Sequence, residues 1–292
     1  MKSFRFLIYL GVLCSLVCYS CNGSKNSDPK PEDLAVLQAD AIPEDAIPFH
    51  YPNDTLKIIL IDAVLNGTDS ITVYWDTGAS CMAAPTAYQN RLEGKDSVRL
   101  KLGRLDLAYK GEIYFSDLYF NSKEDKCIIG PHHLFEDKIV QISYDRKYLR
   151  VLDSVDGLEG YERIPYKVNK KDRRFYIPIS VCVQGKVFHI EEVLLDTGFN
   201  GAFITSGKLF PGLDLSGALT RYHGYAGEDR KAVYGIPVDS IRVGGVSVTD
   251  MEIYLAPDKK GTINILGNGF FSHFSVVFDF KNQNLYLKPL EK

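Results

Sequence analysis

The sequence predicts an all-β protein built as two pseudo-symmetric, barrel-like lobes, and three observations carry that expectation. Runs rich in Ile, Val and aromatic residues alternate with short turn signals, and no segment shows a long amphipathic helical period. The tripeptide Asp-Thr-Gly occurs twice, at 76–78 and at 196–198, each time directly after an apolar run. The segments flanking the two copies follow one another in the same order, and a long period with two copies describes duplicated lobes, not a solenoid of short repeats.

Of the 292 residues 45% are apolar and 24% charged, enough to build one large or two small packed domains. The formal net charge is -3 and no run of Lys and Arg is interleaved with aromatics, so nucleic acid is not an expected partner. At the start, Lys2 and Arg5 precede an apolar stretch from Phe6 to Val17, too short to span a hydrocarbon layer of about 30 Å. It reads as an export signal. The segment ends in Ser20-Cys21, followed by a polar, aperiodic stretch, and resembles a bacterial lipoprotein signal in which Cys21 is acylated and anchors the chain to a membrane of the cell envelope. The alternative is an ordinary cleaved signal, since Cys18 stands at the third position before the cut.

The expected organisation is a signal over residues 1–21, a proline-bearing tether over 22–52 with a first strand at its end, and a first lobe over 53–153. An acidic, glycine-bearing linker over 154–165 and a second lobe over 166–292 complete it. Ahead of each Asp-Thr-Gly lies a hairpin, turning at Asn66-Gly67 in the first lobe and at Gln184-Gly185 in the second. Beyond it a further hairpin is expected in each lobe, with turns at Lys110-Gly111 and Gly244-Gly245. Each lobe then presents two aliphatic residues and a glycine, Ile128-Ile129-Gly130 and Ile265-Leu266-Gly267, followed by a short helical piece and a final strand pair. Outside the leader the cysteines are Cys81, Cys127 and Cys182, an odd number; a Cys81–Cys127 bridge and buried free thiols both fit.

A single aspartate at a strand end is ordinarily a surface acid. Two in equivalent loops of pseudo-symmetric lobes meet at the shared axis, and two carboxylates about 3 Å apart hold one proton between them, an acid and a base in one place. Gly78 and Gly198 permit a tight turn whose N–H groups face the carboxylate, while Thr77 and Thr197 can lock the two loops by reciprocal hydrogen bonds. Ile129 with Gly130, and Leu266 with Gly267, form an apolar wall with a small residue that lets another backbone segment pass closely.

With its doubled Asp-Thr-Gly and doubled aliphatic-aliphatic-Gly over about 240 residues, the chain resembles the aspartic peptidases of the pepsin and retropepsin kind. The resemblance implies a cleft between the lobes and an extended polypeptide substrate bound partly through its main chain. It also implies a water activated between Asp76 and Asp196, with no metal, cofactor or covalent intermediate. Two departures stand out. Ala79 and Phe199 follow the glycines where pepsin-like enzymes carry a hydroxyl, which implies fewer donors to the dyad and an optimum less acid than pepsin's. The first lobe lacks a long flap, whereas Tyr222, Gly224, Tyr225 and Gly227 lie in a long insertion of the second lobe, read as a mobile aromatic hairpin over the cleft or as a surface loop whose tyrosines simply pack.

Other chemistries find less support. His132-His133 are adjacent and expected to point apart, with no convincing metal spacing around them. No Gly-x-Ser-x-Gly and no Walker-type loop occurs. A two-carboxylate glycosidase would make no special use of the Thr-Gly after each Asp. A catalytically silent binder of peptide or protein that retains the fold is the alternative function, against which stands the presence of both aspartates and both glycines.

Overall fold

The computed structural model describes residues 42–95, 97–117, 126–223, 231–257 and 263–291. The first half contributes β1 (Ile47–Pro48), β2 (Leu60–Leu65), β3 (Asp69–Trp75), β4 (Met82–Ala84), the one-turn helix α1 (Gln89–Leu92), β5 (Val98–Leu102), β6 (Leu105–Tyr109), β7 (Ile113–Phe115), β8 (Lys126–Ile129), β9 (Ile139–Ser143) and β10 (Tyr148–Leu152). The second contributes β11 (Glu162–Pro165), β12 (Lys167–Val168), β13 (Phe175–Val183), β14 (Lys186–Asp196), β15 (Phe203–Ser206), β16 (Leu219–His223), β17 (Lys231–Val238), β18 (Ser240–Val243), β19 (Val246–Val248), β20 (Met251–Ala256), β21 (Ile265–Gly267), α2 (Asn268–Phe271), β22 (Phe274–Asp279) and β23 (Asn284–Pro289).

The strands obey the two-residue period of a half-buried sheet. Val98, Leu100 and Leu102 of β5 are buried while Arg99 and Lys101 are exposed, and in β13 Phe175, Ile177, Ile179, Val181 and Val183 all face the core. Both motif-bearing hairpins turn where the sequence places them. Asn66 and Gly67 have φ of 49° and 81°, Gln184 and Gly185 of 50° and 68°, the left-handed pairs that match the twist of the flanking strands.

The duplication is visible in strand order. The first lobe's sheet runs β6-β5-β2-β3-β8-β4-β7, and the second runs β19-β18-β13-β14-β21-β15-β20, then continues into β17-β16. In each, the strand leading into Asp-Thr-Gly pairs in parallel with the strand ending in the aliphatic-Gly: β3 with β8, β14 with β21. The β16–β17 hairpin has no counterpart among the described residues of the first lobe, in keeping with the longer second-lobe insertion. One expectation needs correction. The first lobe's second hairpin turns at Gly103-Arg104, between β5 and β6, and not at Lys110-Gly111, because β7 leaves β6 to pair in parallel with β4. Gly103 takes φ +56°, so it, and not Gly111, supplies the turn that corresponds to Gly244-Gly245.

A third sheet, β1-β10-β9-β22-β23-β11, joins the halves. β9 and β22 pair antiparallel from Ser143↔Ser275 to Ile139↔Asp279, so one lobe's final hairpin is completed by the other's. The stretch 154–165 closes in β11, hydrogen-bonded to β23, and the N-terminal segment joins this sheet at Ile47, which is buried opposite Leu149. Phe270, Phe271, Phe274 and Phe278 are fully buried beneath it, with Phe278 stacked on Phe280 at 5.5 Å. Phe278→Ala, which removes a ring wholly inside this core, is expected to cost about 3–5 kcal/mol. The denaturant midpoint checks this, and an unchanged midpoint would show that the shared sheet does not hold the lobes.

Candidate active site

β3 and β14 each deliver an Asp-Thr-Gly loop to the junction of the lobes, and the two loops interlock. The Thr77 N–H donates to Thr197 Oγ1 (3.0 Å) while the Thr197 N–H donates to Thr77 Oγ1 (3.0 Å). Each hydroxyl in turn donates across the axis, Thr77 Oγ1 to the Leu195 carbonyl (2.8 Å) and Thr197 Oγ1 to the Trp75 carbonyl (3.0 Å). Both threonines are fully buried, so every one of these polar groups depends on the opposite lobe.

That lock brings the loops so close that only glycine fits after the threonine. A Cβ on Gly78 would lie 2.5 Å from Asp196 Cγ, and one on Gly198 would lie 2.5 Å from Asp76 Oδ2. Each carboxylate therefore sits over the other loop's glycine, and the two share a hydrogen bond. They lie deep among protein atoms while each keeps a partly accessible face, as groups at the floor of a cleft do.

The surroundings of the two acids differ. Asp76 Oδ1 accepts from the N–H groups of Gly78 (2.8 Å) and Ala79 (3.1 Å), whereas the Asp196 carboxylate accepts from the Gly198 N–H (2.8 Å). Burial pushes both carboxyls above the ordinary range, but for Asp76 the bond from Asp196 and the two backbone donors oppose the rise. Asp196 is raised well above its ordinary value, by burial first and then by the Asp76 charge. Two such carboxyls in contact cannot both ionise cheaply, so they titrate as a pair and share one proton.

The aliphatic-Gly segments pass behind the loops. The Asp76 N–H donates to the Ile129 carbonyl (3.1 Å), and Asp196 stands beside Gly267 in the parallel register. A Cβ on Gly130 or Gly267 would lie 2.3 Å from the carbonyl oxygen of Ala79 or Phe199. Ile129 and Leu266 are fully buried and belong to the core, so they back the loops and do not line the open cleft. The Phe199 ring packs over Gly267 and Gly201 and edge-on against Tyr254, joining Leu194, Ile204, Val233 and Ile265 in a second apolar cluster beside the dyad.

His132 and His133 do not point apart. Their rings lie 4.3 Å centre to centre and both Nε2 atoms approach the Ser80 carbonyl, at 3.3 and 2.9 Å. The one-turn 3-10 helix beginning at Pro131 turns both inward, and burial with the neighbouring His133 pushes His132 down to about 4, so it supports the first loop as a neutral ring. Cys81, Cys127 and Cys182 are all free thiols. Among the described residues no cluster of three or more His, Cys, Asp or Glu is placed to hold a metal. Tyr222 lies on β16, strongly exposed, while Gly224, Tyr225 and Gly227, like Cys21, lie outside the described residues.

Two side chains that the motifs did not single out belong to the site. Asn268, fully buried at the start of α2, donates to the carbonyls of Thr197 and Lys57 and accepts from the Tyr144 hydroxyl (2.6 Å). Arg174, immediately before β13, lies near enough for its charge to pull both carboxyls down. The Gly-Asn-Gly at 267–269 was a visible signal for the first; nothing in the sequence marks Arg174 beyond its place ahead of the hairpin.

No family model matches the chain, and no curated protein sequence matches it. Among solved structures it is similar to an aspartic proteinase from Irpex lacteus, at 12% identity and a TM-score of 0.54, over 84% of this chain and 97% of that one. A retropepsin-like aspartic protease from Rickettsia conorii matches at 20% identity and a TM-score of 0.32, over 44% of this chain and 89% of that one. The architecture is accordingly that of the two-lobed aspartic proteinase fold.

Two outcomes follow from this geometry. Thr77→Val strands the Leu195 carbonyl and the Thr197 N–H in a dry interior, at about 1–3 kcal/mol for each orphaned group, whereas Thr77→Ser retains most of the stability. Equilibrium unfolding of the two variants separates the lock from mere packing. Asp196→Asn removes a carboxyl whose folded-state value is raised, so the wild type loses stability as pH climbs from the unfolded carboxylate value through the folded one. The variant is expected to be more heat-stable than wild type at pH 7 and less advantaged at pH 4; equal advantage at both would contradict the raised value.

Proposed function

We propose that the protein is an aspartic endopeptidase that hydrolyses peptide bonds in extended polypeptides, with Asp76 and Asp196 as its catalytic pair. The observation that carries this reading is the contact between two buried carboxyls that share a proton in unlike surroundings. Asp76 takes a proton from a water whose oxygen attacks the scissile carbonyl carbon, while Asp196 gives its proton to the carbonyl oxygen, forming a gem-diol. Asp76 then passes its proton to the amide nitrogen as the C–N bond breaks, and a gem-diol proton returns to Asp196, restoring the starting state. The chemistry uses the residues of the two loops and draws on no metal or cofactor.

The lobed fold with a cleft at the junction suits an extended chain, whose main-chain groups can pair with strand edges. We also propose, from the leader sequence, export to the cell envelope and attachment to a membrane through lipid on Cys21.

The test is cleavage of a diverse peptide library by residues 22–292 between about pH 3 and pH 8, beside Asp76→Asn and Asp196→Asn. Internal cleavage is expected, reduced on the order of 10²–10⁴-fold by either substitution and blocked by a statine-type mimic. Because burial raises both carboxyls, activity should peak above about pH 3. A well-folded wild type inert at every pH would favour a silent binder that retains the fold.

A further inference from the structure

Register and burial single out Arg174. Tyr176 of β13 stands opposite Leu194 of β14, and Leu194 shares a sheet face with Asp196, two residues on. Extending that register one step along the same face brings Arg174 across from Asp196, where the two strands part at the end of the ladder. Its neighbour Phe175 packs edge-on against His132 of the first lobe, 5.7 Å between ring centres, which places the segment at the lobe junction.

The guanidinium is held but not used up. Its side chain is 29% exposed, and the nearest carboxylate oxygen, Asp172 Oδ2, lies 3.8 Å from Nη1, beyond hydrogen-bond length. That carboxylate is already engaged by the Arg174 backbone N–H at 3.1 Å. The guanidinium acts on the Tyr176 hydroxyl beside it, while Nε–H is enclosed and has no acceptor. A guanidinium carries five donors in a planar fork matched to a carboxylate, so most of this fork's capacity is unspent. The apolar cluster of Leu194, Phe199 and Ile265, with Tyr176 packed on it, lies alongside, so a bound group here would meet a charged tip over an apolar floor.

We propose that Arg174 is a specificity-determining residue of the cleft, receiving the carboxylate of an Asp or Glu side chain in the polypeptide close to the cleaved bond. This rests on the peptidase reading above. The shared negative charge on the dyad would repel an acidic side chain entering beside it; a fixed cation in register with Asp196 offsets that repulsion and supplies the bond. A free peptide C-terminus presents the same chemistry, and the test separates the two.

Matched peptides that differ only in Glu, Gln or Lys at each position flanking the cleaved bond, each as free acid and as C-terminal amide, are compared on wild type, Arg174→Gln and Arg174→Lys. Comparing peptides within one protein cancels any effect of the substitution on the dyad itself. The Glu-over-Gln ratio of kcat/KM is expected to be roughly 10-fold or more at one position in wild type, to fall to about one in Arg174→Gln and to persist in Arg174→Lys. Amidation should leave it unchanged; a preference that vanishes on amidation would assign Arg174 to a chain terminus and overturn the side-chain proposal. Absence of a Glu preference, or one that Arg174→Gln leaves intact in a protein shown folded by its melting profile, would also overturn it. Should wild type cleave nothing, binding of the same peptides to it by fluorescence anisotropy decides separately: a Glu preference lost in Arg174→Gln sustains the inference while the peptidase reading falls, and no such preference removes both.

Discussion

The reciprocal bonding of Thr77 and Thr197 is the constraint on which the rest of the site depends. Four hydrogen bonds cross the axis between fully buried loops. In a water-free interior none of the groups involved has another partner to fall back on, so the loops hold one separation. That separation excludes any side chain at Gly78 and Gly198, and the space so freed is where each carboxylate comes to rest. The carboxylates are in contact because the threonines are. Their mutual repulsion and desolvation are a cost that the surrounding polar lock and the packed lobes must outweigh.

Holding two loops in such register requires that the lobes not move apart, and the third sheet accounts for that. β9 and β22 come from different halves yet form one antiparallel ladder, over aromatic side chains drawn mainly from the last thirty or so residues of the chain. Asn268 ties this foundation to the site: its side chain reaches the Thr197 carbonyl, the Lys57 carbonyl and the Tyr144 hydroxyl, so the second loop, the N-terminal segment and the end of β9 share one buried amide. Asn200 reinforces the same joint, accepting from the Lys57 N–H and donating to the Thr55 carbonyl.

Much of this was legible in the sequence because it is local. Two-residue turns such as Asn66-Gly67 carry their geometry in their own residues, and a duplicated tripeptide after a duplicated hairpin implies a two-fold arrangement. What escaped was set by partners distant along the chain. Lys110-Gly111 has the composition of a hairpin turn, yet β7 pairs with β4, a choice made by sheet order. His132 and His133 are adjacent, but the tight turn after Gly130 aims both at Ser80. Arg174 and Asp196 are separated by an entire hairpin, and the ladder between β13 and β14, with Tyr176 opposite Leu194, carries Arg174 to where its charge acts on Asp196.

The near-symmetric scaffold also gives the two acids unlike surroundings, and the difference lies at the residues after the glycines. The Ala79 N–H reaches Asp76 Oδ1 as a second donor, and a Cβ on Gly130 would lie 2.3 Å from the Ala79 carbonyl oxygen. Phe199 instead throws a ring across Gly267 and Gly201, and the Asp196 carboxylate receives the Gly198 N–H. The additional donor opposes the rise of Asp76, while Asp196 is raised well above its ordinary value. Symmetry brings the two carboxyls together, and the unequal backbone donors around them make their surroundings differ.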